Sequence, residues 1–251
     1  MGKFLKISFR IMKRLIIISF FAVLSLGGHS QANAVYQRGL SAEENLKAIS
    51  KLGPYSAGAV GFDNRYEGVK GSTRMLDTLL TSFLMVRGQD YYIQLLADLD
   101  IVNNLVVYQD PKSKKLLTIP VDVVSELIIN TDGKELLFRT TYGKIFEKEM
   151  KPQRFCQILK DGQYQFIKIP LKKFVEADYK GAYSADRRYD EFQATQKYYL
   201  ISSDFVFHQI QLNKKSVSKL YPEKKALIDQ SGEEETFHNK EDMIISILTK
   251  F

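Results

Sequence analysis

Short runs of alternating apolar and polar residues dominate the chain from about Leu79 and predict β-strands. Turn sequences separate the runs, and Asp132-Gly133 and Asp161-Gly162 are typical of tight hairpins. The predicted strands are Leu79–Val86, Tyr91–Leu96, Leu105–Tyr108, Lys115–Ile119, Val123–Asn130, Glu135–Arg139, Phe155–Leu159, Tyr164–Ile169, Lys197–Ile201 and Val206–Ile210. Successive hairpins predict an antiparallel meander, as a curved sheet or a partial barrel. The near-alternation in Tyr164–Ile169 favours a sheet with one solvated face.

Helical patterns lie on both sides of this β region, so the predicted fold class is α+β. Ser41 and Glu44 match a capping box that opens a short helix to about Leu52. Three C-terminal helical segments are predicted: one capped by Asn213 and running to Leu220, one over Pro222–Gln230, and one capped by Asn239. The last has its apolar residues on one face, which we expect to pack on the sheet.

The N-terminal segment has the order of a secretory signal. Five basic residues with no acid among them precede the apolar run Leu15–Leu26, and the small-residue tripeptide Ala32-Asn33-Ala34 follows. The apolar run is shorter than the ~20 residues that a membrane-spanning helix needs. We therefore expect export to the periplasm or the medium, cleavage near Ala34 and a soluble product without a transmembrane span. A start at Met12 would give a more compact signal.

Removal of this segment changes the charge balance. The whole chain has 36 basic and 29 acidic residues, a net charge of +7, and loss of the five basic signal residues leaves 31 against 29, or +2. Proteins that bind phosphate backbones usually carry a clear positive excess. The sequence therefore argues against a nucleic-acid partner.

The predicted organisation has four parts. They are a cleaved signal peptide (1–34), an N-terminal helix with a glycine-rich linker (35–73), an antiparallel β domain (74–212) and C-terminal helices packed on the sheet (213–251).

Catalytic signatures are scarce, and no catalytic, cofactor-binding or metal-binding residues are predicted. After signal cleavage only His208 and His238 remain, and a serine–histidine–acid triad would have to use one of them. Carboxylates such as Asp98 and Asp100, or Asp186, Asp190 and Glu191, would serve a hydrolase only if two of them met in one cleft. The single cysteine, Cys156, lies in a predicted strand and is expected to be buried and inert.

Aromatic residues concentrate in the later strands, with two arginines among them. Tyr and Arg are enriched at interaction hot spots, so this region is the candidate binding surface. Its members are Tyr183, Arg187, Arg188, Tyr189, Tyr198 and Tyr199. The alternative is that these aromatic residues form the sheet core and cross-strand pairs.

Several segments resemble an uncharacterised family of exported Bacteroidota cell-envelope proteins. They are Tyr66-Glu67-Gly68-Val69-Lys70-Gly71-Ser72, the paired-tyrosine strand Lys197-Tyr198-Tyr199-Leu200, the lysine-rich Lys214–Leu220, Lys224-Lys225 and the closing Asn239–Ile244. The resemblance covers roughly residues 66–251. It implies a cell-envelope location and a β-rich fold, and no reaction.

Three functions stay open at this point. The first is a non-catalytic envelope protein that binds another protein through its sheet or has a structural role. The second is a periplasmic carrier that holds an apolar ligand in a curved-sheet groove. The third is a carboxylate-dependent hydrolase.

Overall fold

The computed structural model describes residues 40–56, 66, 68–149, 152–177, 189–231 and 239–251. All of them belong to one compact unit, Gly39–Phe251. The predicted signal peptide lies outside the described residues, as do residues 35–39, 57–65 and 67 of the predicted N-terminal helix and linker.

The described residues form one sheet of eleven strands. The strands are β1 Leu80–Val86, β2 Ile93–Asp100, β3 Leu105–Gln109, β4 Leu116–Pro120, β5 Val124–Thr131, β6 Lys134–Thr140, β7 Ile145–Phe146, β8 Phe155–Lys160, β9 Phe166–Val175, β10 Glu191–Ile201 and β11 Val206–Ile210. Each of the ten predicted strands overlaps one of these. The additional strand, β7, has only two residues.

The strand order is β4-β3-β2-β1-β5-β6-β8-β9-β10-β11-β7. Strands β1 to β4 form an antiparallel meander on one side of β1, and β5 begins a second series of antiparallel pairs on the other side. Strand β7 breaks the meander, because it lies at the far edge and runs parallel to β11. The sheet is therefore mixed and not closed, and the coarse prediction of an α+β, mainly β fold is confirmed.

Helix α1 (Ala42–Ser50) packs against β2. The predicted capping box is present: the Ser41 hydroxyl accepts from the Glu44 N–H at 3.4 Å, and the Glu44 carboxylate accepts from the Ser41 N–H at 3.1 Å. The Asn45 side chain also makes two hydrogen bonds with the Gln94 backbone, at 2.8 and 2.7 Å. These bonds fix the orientation of α1 on the sheet.

The C-terminal segment contains helices α2 (Lys214–Leu220), α3 (Lys225–Gln230) and α4 (Lys240–Thr249). Asn213 caps α2 and Asn239 caps α4, each through a side-chain oxygen that accepts a backbone N–H. The predicted single helix over Pro222–Gln230 is in fact a 3₁₀ turn, Pro222–Lys224, followed by α3. Its first turn is tighter than an α-helical one.

Both faces of the sheet are buried where the start of β9, Phe166–Ile169, pairs with the end of β10, Tyr198–Leu200, which differs from the predicted single solvated face. Phe166 and Leu200 lie in a cluster with the C-terminal helices, whereas their neighbours Ile167 and Tyr199 lie in a second cluster on the opposite face. Cys156 belongs to the second cluster and is fully buried, as predicted. Because the C-terminal helices cover the Phe166 face, local alternation alone underestimated the burial of these strands.

Candidate functional site at the open edge of strand β11

The paired tyrosines of the predicted binding surface are core residues. Tyr198 is 8% exposed and Tyr199 is 6% exposed, and their rings lie on opposite faces of β10. The Tyr198 hydroxyl donates to Glu241 Oε1 at 2.6 Å, and the Tyr199 ring meets the Phe146 ring edge-on at 5.2 Å. Burial, followed by the Glu241 carboxylate, raises the pKa of Tyr198 well above its ordinary value.

Of the other four predicted surface residues, Tyr189 alone lies in the part of the chain that the structure describes. Tyr183, Arg187 and Arg188 lie outside the described residues. Tyr189, just before β10, is 67% exposed. Tyr198 and Tyr199 are sequence neighbours whose side chains face different clusters.

A cavity with a volume of about 660 Å³ lies beside β11. Tyr199 and Phe207 contribute aromatic surface, and α2 contributes Lys219 and Leu220. Gln209 of β11 also lines it, together with Glu147 and Lys148 from the segment after β7. The cavity thus has aromatic and aliphatic walls and a charged rim.

The cavity follows the outer edge of β11, where β7 has ended. The Ser202 N–H donates to Val206 O at 2.9 Å, so Val206 directs its backbone groups towards β10. By strand alternation Phe207 and Gln209 direct theirs outwards, and Phe207 O indeed accepts from the Glu147 N–H at 3.0 Å. Among the described residues, β7 pairs with β11 only at Val206 and Phe207. No strand of the described part of the chain therefore lies beside Gln209 on the outer side.

A line of contacting polar side chains, Glu147, His208 and Ser202, crosses this part of the sheet. His208 Nδ1 lies 3.2 Å from Glu147 Oε2, and His208 Nε2 lies 3.1 Å from Ser202 Oγ. The Ser202 hydroxyl also contacts Asp204 Oδ1 and, at 3.1 Å, Val206 O. The Ser202 hydrogen bond is the main reason that the pKa of Asp204 is lowered.

The sequence singled out His208 but neither Ser202 nor Glu147. The turn-type sequence Ser202-Ser203-Asp204-Phe205 between two predicted strands could have placed Ser202 near His208, since a tight hairpin brings such residues together. No sequence signal identifies Glu147, because its position depends on the two-residue strand β7.

The candidate carboxylates have structural partners. Asp98 is fully buried and accepts hydrogen bonds from the Leu99 N–H at 2.7 Å and from Arg74 Nε at 3.1 Å. Burial raises the pKa of Asp98, although these bonds oppose the shift. Asp100 accepts from the Thr73 hydroxyl and from Asn103, both at 2.8 Å.

Of the remaining carboxylates, Asp190 accepts from the Ala177 N–H at 2.7 Å, Glu191 bonds the Gln193 amide, and Asp186 lies outside the described residues. Within the described ranges, no group of three or more His, Cys, Asp or Glu side chains could hold a metal ion. The described helices include none that is long and apolar enough to cross a membrane.

Comparison of the chain with family models, curated proteins and solved structures finds no match. The resemblance to exported Bacteroidota proteins therefore stays a prediction.

Proposed function

We propose that the chain is an exported binding module of the cell envelope that docks an extended polypeptide segment along the outer edge of β11. One observation carries the proposal: the cavity of about 660 Å³ lies along the part of this edge that pairs with no described strand. Its volume lies in the range of ~300–1,000 Å³ that is usual for ligand sites. Export rests on the N-terminal signal pattern.

The backbone supplies the affinity in this mode of recognition. A docked segment would take the place that β7 would occupy if it continued, and it would bond the outward N–H and C=O groups of Gln209. The position follows from the register, because Phe207 is already bonded to the segment after β7 and Gln209 is the next outward residue.

The walls supply the selectivity. Tyr199 and Phe207 offer apolar contact to one side of an extended segment, and Leu220 lies on the other side. Lys148 and Lys219 are exposed at the rim and would attract acidic side chains, with Glu147 as the opposing charge. The favoured ligand is therefore an extended segment that alternates apolar and acidic residues.

The backbone contribution is tested with a proline substitution. Peptides are selected from a displayed linear library against the chain from residue 35 to 251, and their affinities are measured by fluorescence polarisation. Gln209→Pro removes the outward N–H without removing a bond to β10, so we expect affinity to fall at least tenfold. Gln196→Pro is the matched control, since Gln196 lies on a stretch of β10 beyond the β11 pairing and does not line the cavity.

The side-chain contribution has its own pair of variants. Lys219→Glu should weaken acidic peptides, whereas Lys215→Glu, on the same helix and outside the cavity lining, should not. If no peptide binds saturably, or if both members of each pair bind equally well, the docking proposal is wrong. Circular dichroism spectra confirm that each variant is folded.

A further inference from the structure

Two residues at the cavity, His208 and Glu147, form with the neighbouring Ser202 the order of a hydrolase triad. Ser202 lies in the β10–β11 turn, His208 lies on β11, and Glu147 directly follows β7, so three separate segments bring them together. A carboxylate at Nδ1 holds a proton on that nitrogen, which leaves Nε2 to accept the proton of the serine hydroxyl. A nucleophile bonded to a base that a third group orients is the diagnostic arrangement of covalent catalysis.

We propose that Ser202, His208 and Glu147 form a catalytic triad that hydrolyses acyl esters, with Ser202 as the nucleophile, His208 as the base and Glu147 as the positioning residue. This activity goes beyond the docking function and does not depend on it. His208 and Glu147 line the cavity, so an ester bound there lies beside the base.

The cavity defines the substrate class. Leu220 lines it on the same face of the sheet as His208 and provides apolar contact for a short acyl chain. The His208 side chain is 28% exposed and that of Glu147 is 55% exposed, so water reaches the site for the second half of the reaction. The same exposure limits the electrostatic contribution, and we expect a modest rate enhancement of roughly 10²–10⁴-fold, which is typical of general-base assistance.

The reaction proceeds in two balanced halves. Ser202 Oγ attacks the carbonyl carbon while its proton moves to His208 Nε2. The ester C–O bond then breaks, and His208 returns the proton to the leaving alcohol. In the second half, water attacks the carbonyl carbon of the acyl-serine while one of its protons moves to His208. The bond between this carbon and Ser202 Oγ then breaks, His208 returns the proton to Ser202, and the carboxylic acid is released.

The turn between β10 and β11 offers competing acceptors for the proton of the Ser202 hydroxyl. The Ser202 hydroxyl contacts Asp204 Oδ1 and Val206 O as well as His208, and it has one proton to give. The reactive rotamer is the one directed at Nε2. The adjacent Ser203 is exposed and outside this line, and it therefore provides a matched control in the same turn.

The activity is tested on the chain from residue 35 to 251 with p-nitrophenyl butyrate and with a fluorophosphonate probe that labels activated serines. We expect labelling at Ser202, located by peptide mass spectrometry. Ser202→Ala and His208→Gln should abolish labelling and return hydrolysis to the uncatalysed rate. Glu147→Gln should slow hydrolysis at least tenfold, and Ser203→Ala should leave both readouts unchanged.

A second measurement covers the case in which the ester reaction is too slow to follow. Ser202→Cys should react with iodoacetamide at least tenfold faster than Ser203→Cys, because His208 removes the thiol proton only at the first position. Conversion of His208 to Gln in the Ser202→Cys background should remove the difference. Equal alkylation of the two cysteine variants, or fluorophosphonate labelling that persists in Ser202→Ala, would overturn the triad.

Discussion

Helix α4 packs on the Phe166 face of the sheet, and Ile247→Ala measures the contribution of that contact. Ile247 is fully buried in a cluster with Phe166, Leu200 and Leu248. The substitution removes three methyl or methylene groups, each worth about 0.8 kcal/mol of transfer free energy. The cavity left behind adds to this loss, so we expect the free energy of unfolding to fall by about 3 kcal/mol, within the usual range of roughly 2–5 for such changes.

The measurement is urea-induced unfolding followed by far-ultraviolet circular dichroism. The slope of the free energy with urea should stay constant, because the folded state keeps its extent. Ile245→Ala is the matched control on the same helix, since Ile245 is only partly buried against the same cluster. We expect that variant to lose about half as much, in proportion to the smaller buried area.

A loss below about 1 kcal/mol for Ile247→Ala, or a loss equal to that of Ile245→Ala, would refute the reasoning. It would mean that the apolar face of α4 is not held in the core of this chain. That face would then be available for a partner.

Three further predictions concern ionisable groups. Glu241 links α4 to the sheet, because its Oε1 accepts from the Tyr198 hydroxyl at 2.6 Å and lies 3.1 Å from Lys168 Nζ. Glu241→Gln weakens this link and should lower the free energy of unfolding by about 1–2 kcal/mol in the same urea assay. The folded-state pKa of Asp98 is raised by burial, so this carboxyl favours folding below its unfolded value near 3.8 and loses that contribution as pH rises through the folded pKa. The stability of the native chain relative to Asp98→Asn should therefore increase as pH falls towards 4, and a flat or opposite difference between the two urea titrations would contradict this. Burial raises the pKa of Cys156 to about 11, so iodoacetamide at about pH 8 should modify this thiol only in denaturant. Alkylation is followed by intact mass, and rapid modification of the native protein would show that the thiol is accessible.

Local sequence signals were sufficient for most elements of the fold. Asp132-Gly133 and Asp161-Gly162 lie in the turns where hairpins were predicted, and Gly133 and Gly162 have positive φ values of 85° and 102°. Glycine adopts such angles without the steric cost that a side chain would add. The capping residues Ser41, Asn213 and Asn239 were also identified, because a cap depends on residues within one helical turn.

The candidate site was less accessible to sequence reasoning. Tyr198 and Tyr199 match an interaction surface in composition, but both are buried because the C-terminal helices cover one face of β10 and Phe146 packs against the other. Glu147 carried no signal, since its place beside His208 requires the parallel pairing of β7 with β11.

The sequence alone determined most element types, the hairpin turns, the helix caps and the expectation of export, because each depends on residues close together in the chain. Only the tertiary structure decided the strand order, the edge beside Gln209 that pairs with no described strand, and the approach of Ser202, Glu147 and His208. Strand pairing joins segments that are distant in sequence, and its free energy comes from contacts that no local pattern encodes. The cavity beside β11 and the contacts among Ser202, His208 and Glu147 are products of that long-range pairing.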